Sequence, residues 1–226
     1  QIFETEPFAI AAQRLVELLA KFNEEFDQQL PELDLGGGYG IAYLENESEI
    51  HAADVLGTLA AEVKQACAKY SLDVPKISIE PGRAIVGPSM FTLYSVGTTK
   101  VVTLENGASR NYVSVDGGMS DNLRTALYGA EYTAIIANRE STAKKIATRI
   151  VGKHCETGDI IIKDIDFPSD VTPGDFLATP ATGAYGRSMA TNYNHISRPP
   201  VVAIKDGKAR VILRRESIED LLRLDI

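Results

Sequence analysis

The residues best able to do chemistry fall into a few short stretches. In Gly36-Gly37-Gly38-Tyr39-Gly40, consecutive glycines leave backbone N–H groups unscreened by any Cβ, so that they can converge on an anion. The spacing is not that of a dinucleotide fingerprint, because G-x-G-x-x-G read from Gly36 would need glycine where Ile41 stands. The glycines alone fit a tight connector equally well. Glu80-Pro81-Gly82-Arg83 places a carboxylate, a flexible backbone and a guanidinium directly after an apolar strand. Enzymes built on parallel barrels put their active sites at that end of the strands, although a surface ion pair at a strand end is the plainer reading. Each motif ends a strand signal, and the two together point to one pocket.

Three further stretches lie downstream. Asp116-Gly117-Gly118-Met119-Ser120-Asp121-Asn122-Leu123-Arg124, followed by Tyr128, closes a strand and opens a polar loop. Arg124 has the geometry to hold a carboxylate bidentately, and Tyr128 to stack or donate a hydrogen bond; an Asp-Gly turn with a solvated arginine is the alternative. His154-Cys155-Glu156-Thr157-Gly158-Asp159 interrupts a β run with functional groups. A Cys155–His154 nucleophilic pair is disfavoured, since neighbouring strand residues point to opposite faces. Cys155, among polar neighbours, is the better candidate for reactive chemistry, whereas Cys67 sits in a helical pattern and reads as core filling. In Thr182-Gly183-Ala184-Tyr185-Gly186, the tyrosine is either a loop filler or a ring held close to a ligand. The histidines His51, His154 and His195 and the two cysteines show no metal-ligand spacing, so no metal site is expected.

The elements that must carry these residues change character along the chain. Phe8, Leu15, Leu18, Leu19 and Phe22 recur at helical spacing, Leu33-Asp34-Leu35 runs into the glycines, and a second helix is predicted over about 48–70 with Val55, Leu59, Val63 and Ala66 on one face. A strand, Ile77–Glu80, ends at Pro81-Gly82. Strand, glycine turn, helix, strand is the grammar of βα units on a parallel sheet. Beyond it the β-branched runs 101–104, 112–115, 149–151 and 160–162 predict strands, Asp206-Gly207 predicts a hairpin between 201–204 and 210–213, and Ser217 with Asp220 predicts a capped last helix over 218–224. The expected fold class is α/β plus all-β: a piece of a parallel α/β domain over 1–88, then a β domain over 89–226. Two strands and about three helices are too few to close, and natural proteins avoid leaving sheet edges unpaired.

Charge follows the same division. Residues 1–88 hold 15 acidic and 6 basic side chains and the remainder 16 and 17, giving −9 and +1 and a net charge of −8 over 226 residues. An acidic chain with no basic cluster argues against nucleic acid as a partner. No apolar run reaches the roughly 18 residues of a membrane span. Two cysteines permit no disulfide framework and fit a reducing, cytoplasmic setting. The chain opens on Gln1 in what reads as mid-protein sequence, so a fragment or one part of a nicked enzyme is expected.

In order, Gly36-Gly37-Gly38, Glu80-Pro81-Gly82-Arg83, Asp116-Gly117-Gly118-Met119, Cys155-Glu156-Thr157-Gly158-Asp159 and Gly183-Ala184-Tyr185-Gly186 resemble the fold-type III pyridoxal-phosphate decarboxylases over nearly the whole chain. Thr125 departs from the pattern, standing where many members have proline. The resemblance implies that 1–88 is part of a cofactor-holding (β/α)8 barrel, that 89–226 is a separate β-barrel or sandwich domain, and that pyridoxal 5'-phosphate is the cofactor. It implies that Gly36, Gly37, Gly38 and Gly82 cradle the phosphate and that Glu80 keeps the pyridine nitrogen protonated. Arg83, Arg124 and Tyr128 would hold the substrate's carboxylates, with Arg83 also beside the cofactor, and Glu156 would hold a distal ammonium. Tyr185 would touch cofactor and substrate, and Cys155 would return a proton to the α-carbon. The Schiff-base lysine is expected upstream of Gln1, since Lys64, Lys69 and Lys76 occupy no convincing replacement position. The Met119-Ser120-Asp121 and Cys155-Glu156-Thr157 contexts favour decarboxylation of meso-diaminopimelate to L-lysine. The alternatives are an enzyme acting on ornithine, arginine or a carboxylated polyamine such as carboxynorspermidine, or a non-catalytic relative that binds partners. A homodimer is implied as well, with the Cys155 loop reaching the neighbouring subunit's cofactor.

Overall fold

The computed structural model describes residues 1–48, 50 and 52–226, and of 52–54 the backbone alone. The predicted start of the second helix near Ser48 runs through Glu49 and His51, which lie outside the described residues. The chain divides into two compact units, Gln1–Ser89 and Met90–Ile226.

The first unit runs α1 (Glu6–Phe26), β1 (Glu32–Asp34), α2 (Ala52–Lys69), β2 (Lys76–Ser78) and α3 (Gly82–Val86). Helix α1 buries Phe8, Ala12, Val16 and Leu19 in a core shared with Val55, Leu59, Val63, Ala66 and Cys67 of α2. That stripe follows steps of four, four and three along α1. Leu18, assigned to the stripe from sequence, is 62% exposed. At 3.6 residues per turn it lies about 200° round the helix from Val16, so Ala12 and Val16 fill the seam instead. Strands β1 and β2 pair in parallel, Glu32 against Lys76, Leu33 against Ile77 and Asp34 against Ser78. The ladder stops at Ser78, short of the predicted Glu80, because the chain leaves the extended conformation at Gly36 (φ +71°). Two backbone bonds still carry the pairing forward, Leu35 N–H to Ser78 O at 2.9 Å and Glu80 N–H to Gly36 O at 2.8 Å. At the amino ends the Gln29 carboxamide both donates to and accepts from the backbone of Asp73, at 2.9 Å each.

The second unit contains β3 (Thr92–Thr103), β4 (Ser109–Val115), α4 (Arg124–Tyr128), β5 (Ile135–Ile136), β6 (Lys145–Val151), β7 (Ile160–Pro168), β8 (Phe176–Thr179), α5 (Gly186–Met189), a 3-10 turn at Tyr193–His195, β9 (Val201–Lys205), β10 (Lys208–Leu213) and α6 (Ile218–Leu222). Six strands form one mixed sheet in the order β5-β8-β3-β4-β6-β7. Only β4 and β6 pair in parallel; the other neighbours are antiparallel. Alternate residues of β4 point inward, with Val113 and Val115 buried alongside Ile150, Ile161, Ile162, Phe167 and Leu177. The hairpin predicted at Asp206-Gly207 is present, and both residues adopt the positive φ that a primed turn requires, +51° and +71°. Ser217 and Asp220 form the expected capping box on α6.

In the second unit Arg139 bridges Asp175 and Asp170. Its guanidinium donates from Nε and Nη2 to the two Asp175 oxygens at 2.8 and 2.7 Å and from Nη1 to Asp170 at 2.9 Å. Asp175 is buried, and the Arg139 hydrogen bonds hold its carboxyl below the usual range. A carboxyl whose folded pKa lies below its unfolded value adds stability above the unfolded pKa, about 3.9 for aspartate, and loses it as pH falls through the folded value. Arg139→Met should therefore lower the melting temperature at pH 7, and the gap to wild type should narrow as the pH falls below about 4. Thermal unfolding of both proteins across that range checks it.

Candidate active site

In the first unit, parallel pairing puts the carboxyl ends of β1 and β2 side by side, and with them the two motifs singled out from sequence. Tyr39 anchors the glycine stretch: it is 4% exposed and stacks on Phe8 with ring centroids 4.7 Å apart and planes 9° from parallel. Burial raises its phenol above the ordinary range. The Gly36 amide donates to Asp34 Oδ1 at 2.7 Å, while the amides of Gly37 and Gly38 donate to no other group among the described residues. Gly38 has φ +102°, a conformation that favours glycine. A Cβ on Gly37 would stand 2.3 Å from the carbonyl oxygen of Glu80, so the two motifs touch through bare backbone. Built Cβ atoms on Gly36 and Gly82 would meet nothing within 4 Å. The result is an open loop of glycine amides next to the exposed Glu80 carboxylate, with Arg83 in the first turn of α3, directly after Gly82. This is a donor set suited to a phosphate beside a basic ring nitrogen, and it fits pyridoxal phosphate. Lys76 lies at the opposite, amino end of β2, paired with Glu32 at 2.8 Å.

In the second unit, the loops after β4 and between β6 and β7 are bound to each other. The Lys153 amide donates to Gly117 O at 3.0 Å, and the His154 ring Nε2 lies 2.8 Å from Ser120 Oγ. His154 is 9% exposed, and Cys155 beside it is an exposed free thiol. The expected separation of this pair holds for a different reason from the one given by strand alternation: both residues lie in a hairpin loop, which buries one and exposes the other. Glu156 accepts a very short hydrogen bond from the Tyr193 hydroxyl, whose ring lies 5.4 Å from that of His154. That carboxylate partner, followed by burial, raises the Tyr193 phenol. Tyr193 carries no local sequence signal, and only the fold brings it across 37 residues to Glu156.

Arg124 is not solvated. At 7% exposure it donates from Nη1 to Tyr132 Oη at 2.6 Å. Tyr128, one turn along α4, is 67% exposed, and Tyr185, at the amino end of α5, is 45% exposed. Thr125 explains its own departure from proline: its hydroxyl donates to Ile161 O at 3.0 Å and ties α4 to β7. Cys67 is wholly buried, and burial raises its thiol. The structure thus gathers Gly36, Gly37, Gly38, Glu80, Gly82 and Arg83 in one unit, and Cys155 and Glu156, with Tyr193, in the other.

Known proteins resemble the chain over its whole length. The family profile described as "Pyridoxal-dependent decarboxylase, pyridoxal binding domain" matches residues 1–87, and that described as "Pyridoxal-dependent decarboxylase, C-terminal sheet domain" matches 85–183. The chain belongs to the pyridoxal-dependent decarboxylases. Among its relatives, the diaminopimelate decarboxylase of Corynebacterium efficiens is 46% identical over 226 residues, all of this chain and 49% of that protein. The one from Mycobacterium tuberculosis is 47% identical, covering all of this chain and 52% of its own length. Among solved structures, diaminopimelate decarboxylase from Helicobacter pylori complexed with L-lysine superposes with a TM-score of 0.84 at 34% identity, covering all of this chain and 52% of that one. The M. jannaschii enzyme in co-complex with L-lysine gives 0.88 at 29%, covering all of this chain and 50% of that one. The chain spans about half the length of the relatives it matches.

The close approach at Gly37 makes the first unit sensitive to any side chain there. Gly37→Ala must push the Glu80 turn away and should cost about 1–3 kcal/mol, the range for overpacking. Gly57→Ala, inside α2 with nothing within 4 Å of the new methyl, should instead gain up to about 1 kcal/mol. Denaturant unfolding of the two variants should show shifts of opposite sign.

Proposed function

We propose that the whole protein is a cytoplasmic, pyridoxal-phosphate-dependent decarboxylase that converts meso-diaminopimelate to L-lysine and carbon dioxide. The observation that carries this reading is the Glu80 N–H to Gly36 O bond. It joins the glycine loop and the carboxylate into one anion-and-ring site, in a chain nearly half identical to diaminopimelate decarboxylases. Pyridoxal phosphate bound there supplies the electron sink for the pair released when the carboxylate carbon departs. Gly37 and Gly38 offer its phosphate their backbone amides, Gly36 and Gly82, whose own amides donate to Asp34 and to Glu80 O, cradle it by leaving no side chain in the way, and Glu80 holds a proton on the ring nitrogen. Arg83 lies beside the cofactor and meets a substrate carboxylate, as do Arg124 and Tyr128, while Glu156 takes the distal ammonium. Tyr185 packs against both cofactor and substrate. Cys155 delivers the Sγ proton to the α-carbon, replacing the lost bond to carbon dioxide.

Two contacts within the chain support these roles. A carboxylate receiving a tyrosine hydroxyl, as Glu156 does from Tyr193, is fixed in direction, which is what an ammonium ligand needs. Arg124, buried and braced by Tyr132, presents its guanidinium at fixed geometry, where lysine could offer only a point charge.

The test uses the full-length protein with pyridoxal phosphate and meso-diaminopimelate, following carbon dioxide release and lysine formation, with ornithine and arginine as competing substrates. Preference for either competitor would overturn the substrate assignment. Arg124→Lys should raise KM for meso-diaminopimelate about tenfold, the loss of one bidentate charged contact, and leave the cofactor absorbance unchanged. Loss of the cofactor band in that variant would contradict the role given to Arg124.

The same reading makes the protein a homodimer in which Cys155 serves the partner's cofactor. Mixing inactive Cys155→Ala protein with a variant lacking the cofactor-binding lysine should then restore about a quarter of wild-type activity, since about half of randomly exchanged dimers are mixed and each has one intact site. No recovery despite proven exchange would refute the shared site.

A further inference from the structure

Asp159 has no role in the reaction so far described, yet the two chemistry-bearing loops of the second unit meet on its side chain. It is 3% exposed. Its Oδ1 accepts from the Met119 amide at 2.6 Å, and its Oδ2 accepts from the His154 amide at 2.6 Å. Its backbone is engaged as well, the carbonyl accepting from Gly152 N–H at 2.9 Å and the amide donating to Glu156 O at 3.1 Å. The first donor lies 40 residues away in the loop after β4, and the second lies directly before Cys155. A buried carboxylate is costly unless it is paired and hydrogen-bonded, so this one is stable only while both loops keep their amides on it.

The room for that carboxylate is made by absent side chains. A Cβ on Gly118 would stand 2.6 Å from Asp159 Oδ1, and one on Gly152 would stand 2.3 Å from Oδ2. Neither glycine has a positive φ, so close approach, not backbone conformation, is what requires them. The outer parts of the loops are tied less directly, through the His154 ring on Ser120 Oγ and Tyr193 on Glu156.

We propose that Asp159 is a positioning residue: its buried carboxylate clamps the Met119 and His154 amides and thereby fixes where Cys155 and Glu156 stand. This rests on the roles given to Cys155 and Glu156 above, but the clamp itself is a property of the loops and is measured separately from turnover.

The experiment compares full-length holoenzyme with Asp159→Asn and Gly118→Ala. The first keeps the size but places an NH2 where one of two amides must be accepted; the second keeps the carboxylate and displaces it. Both should speed hydrogen–deuterium exchange in peptides covering 117–121 and 152–159 by about tenfold or more, the loss of a hydrogen bond to a charged acceptor. Exchange in the β9–β10 hairpin should be unchanged, and so should the cofactor absorbance. In the same variants kcat should fall at least tenfold, and KM for meso-diaminopimelate should rise because Glu156 moves with Cys155. Unchanged exchange in either loop, or acceleration spread equally through the β9–β10 hairpin, would overturn the clamp. Faster exchange with kcat and KM at wild-type values would overturn its positioning role. If wild-type enzyme fails to decarboxylate meso-diaminopimelate, the functional reading fails, and the exchange arm still decides whether Asp159 joins the loops.

Discussion

The parallel register of β1 and β2 is the constraint on which the first unit's chemistry rests. Antiparallel strands would send Gly36 and Glu80 to opposite ends of the ladder; parallel strands bring them to the same end, where Glu80 N–H reaches Gly36 O. Parallel pairing needs a long crossover, and α2 supplies it. The cost of that crossover is met by the α1–α2 core, where Val16, Val55, Val63, Ala12 and Cys67 are wholly buried. The packing of two helices thus decides where a glycine amide and a carboxylate meet.

The second unit reaches a comparable result by another route. Its loops are set by neighbouring strands of one sheet, β4 and β6, which again run in parallel. The turn after β4 and the hairpin loop after β6 consequently emerge at the same end, close enough for Lys153 to donate to Gly117. Both units place functional groups beyond the carboxyl ends of parallel neighbours, although only the first joins its two strands through a single long helix, the crossover from β4 to β6 passing through the short α4 and β5.

Much of this was legible in the sequence because the signals were local. The hairpin at Asp206-Gly207 and the box formed by Ser217 and Asp220 depend on residues a few positions apart, and the glycine and Glu80 motifs end their own strands. The burial of Arg124 was not legible, because its partner Tyr132 belongs to a segment with no strong pattern. Tyr193 was invisible for the same reason, lying in a polar stretch that packs only through long-range contacts. Leu18 misled in the other direction: an apolar residue in a helical pattern was counted into the stripe, while the smaller Ala12 did the packing. Asp159 stood inside a recognised motif, but the need for Gly118 and Gly152 beside it appears only when two distant loops are seen together.

The contrast between the two cysteines has a practical side. Cys67 lies in α2 with no accessible surface, while Cys155 is exposed on its loop, and the two form no disulfide. Of these two thiols, the folded chain offers Cys155 to a reagent, and Cys67 becomes available only when the α1–α2 core opens. The site of labelling, Cys67 or Cys155, rather than its rate, therefore separates opening of the first unit from local movement in the second.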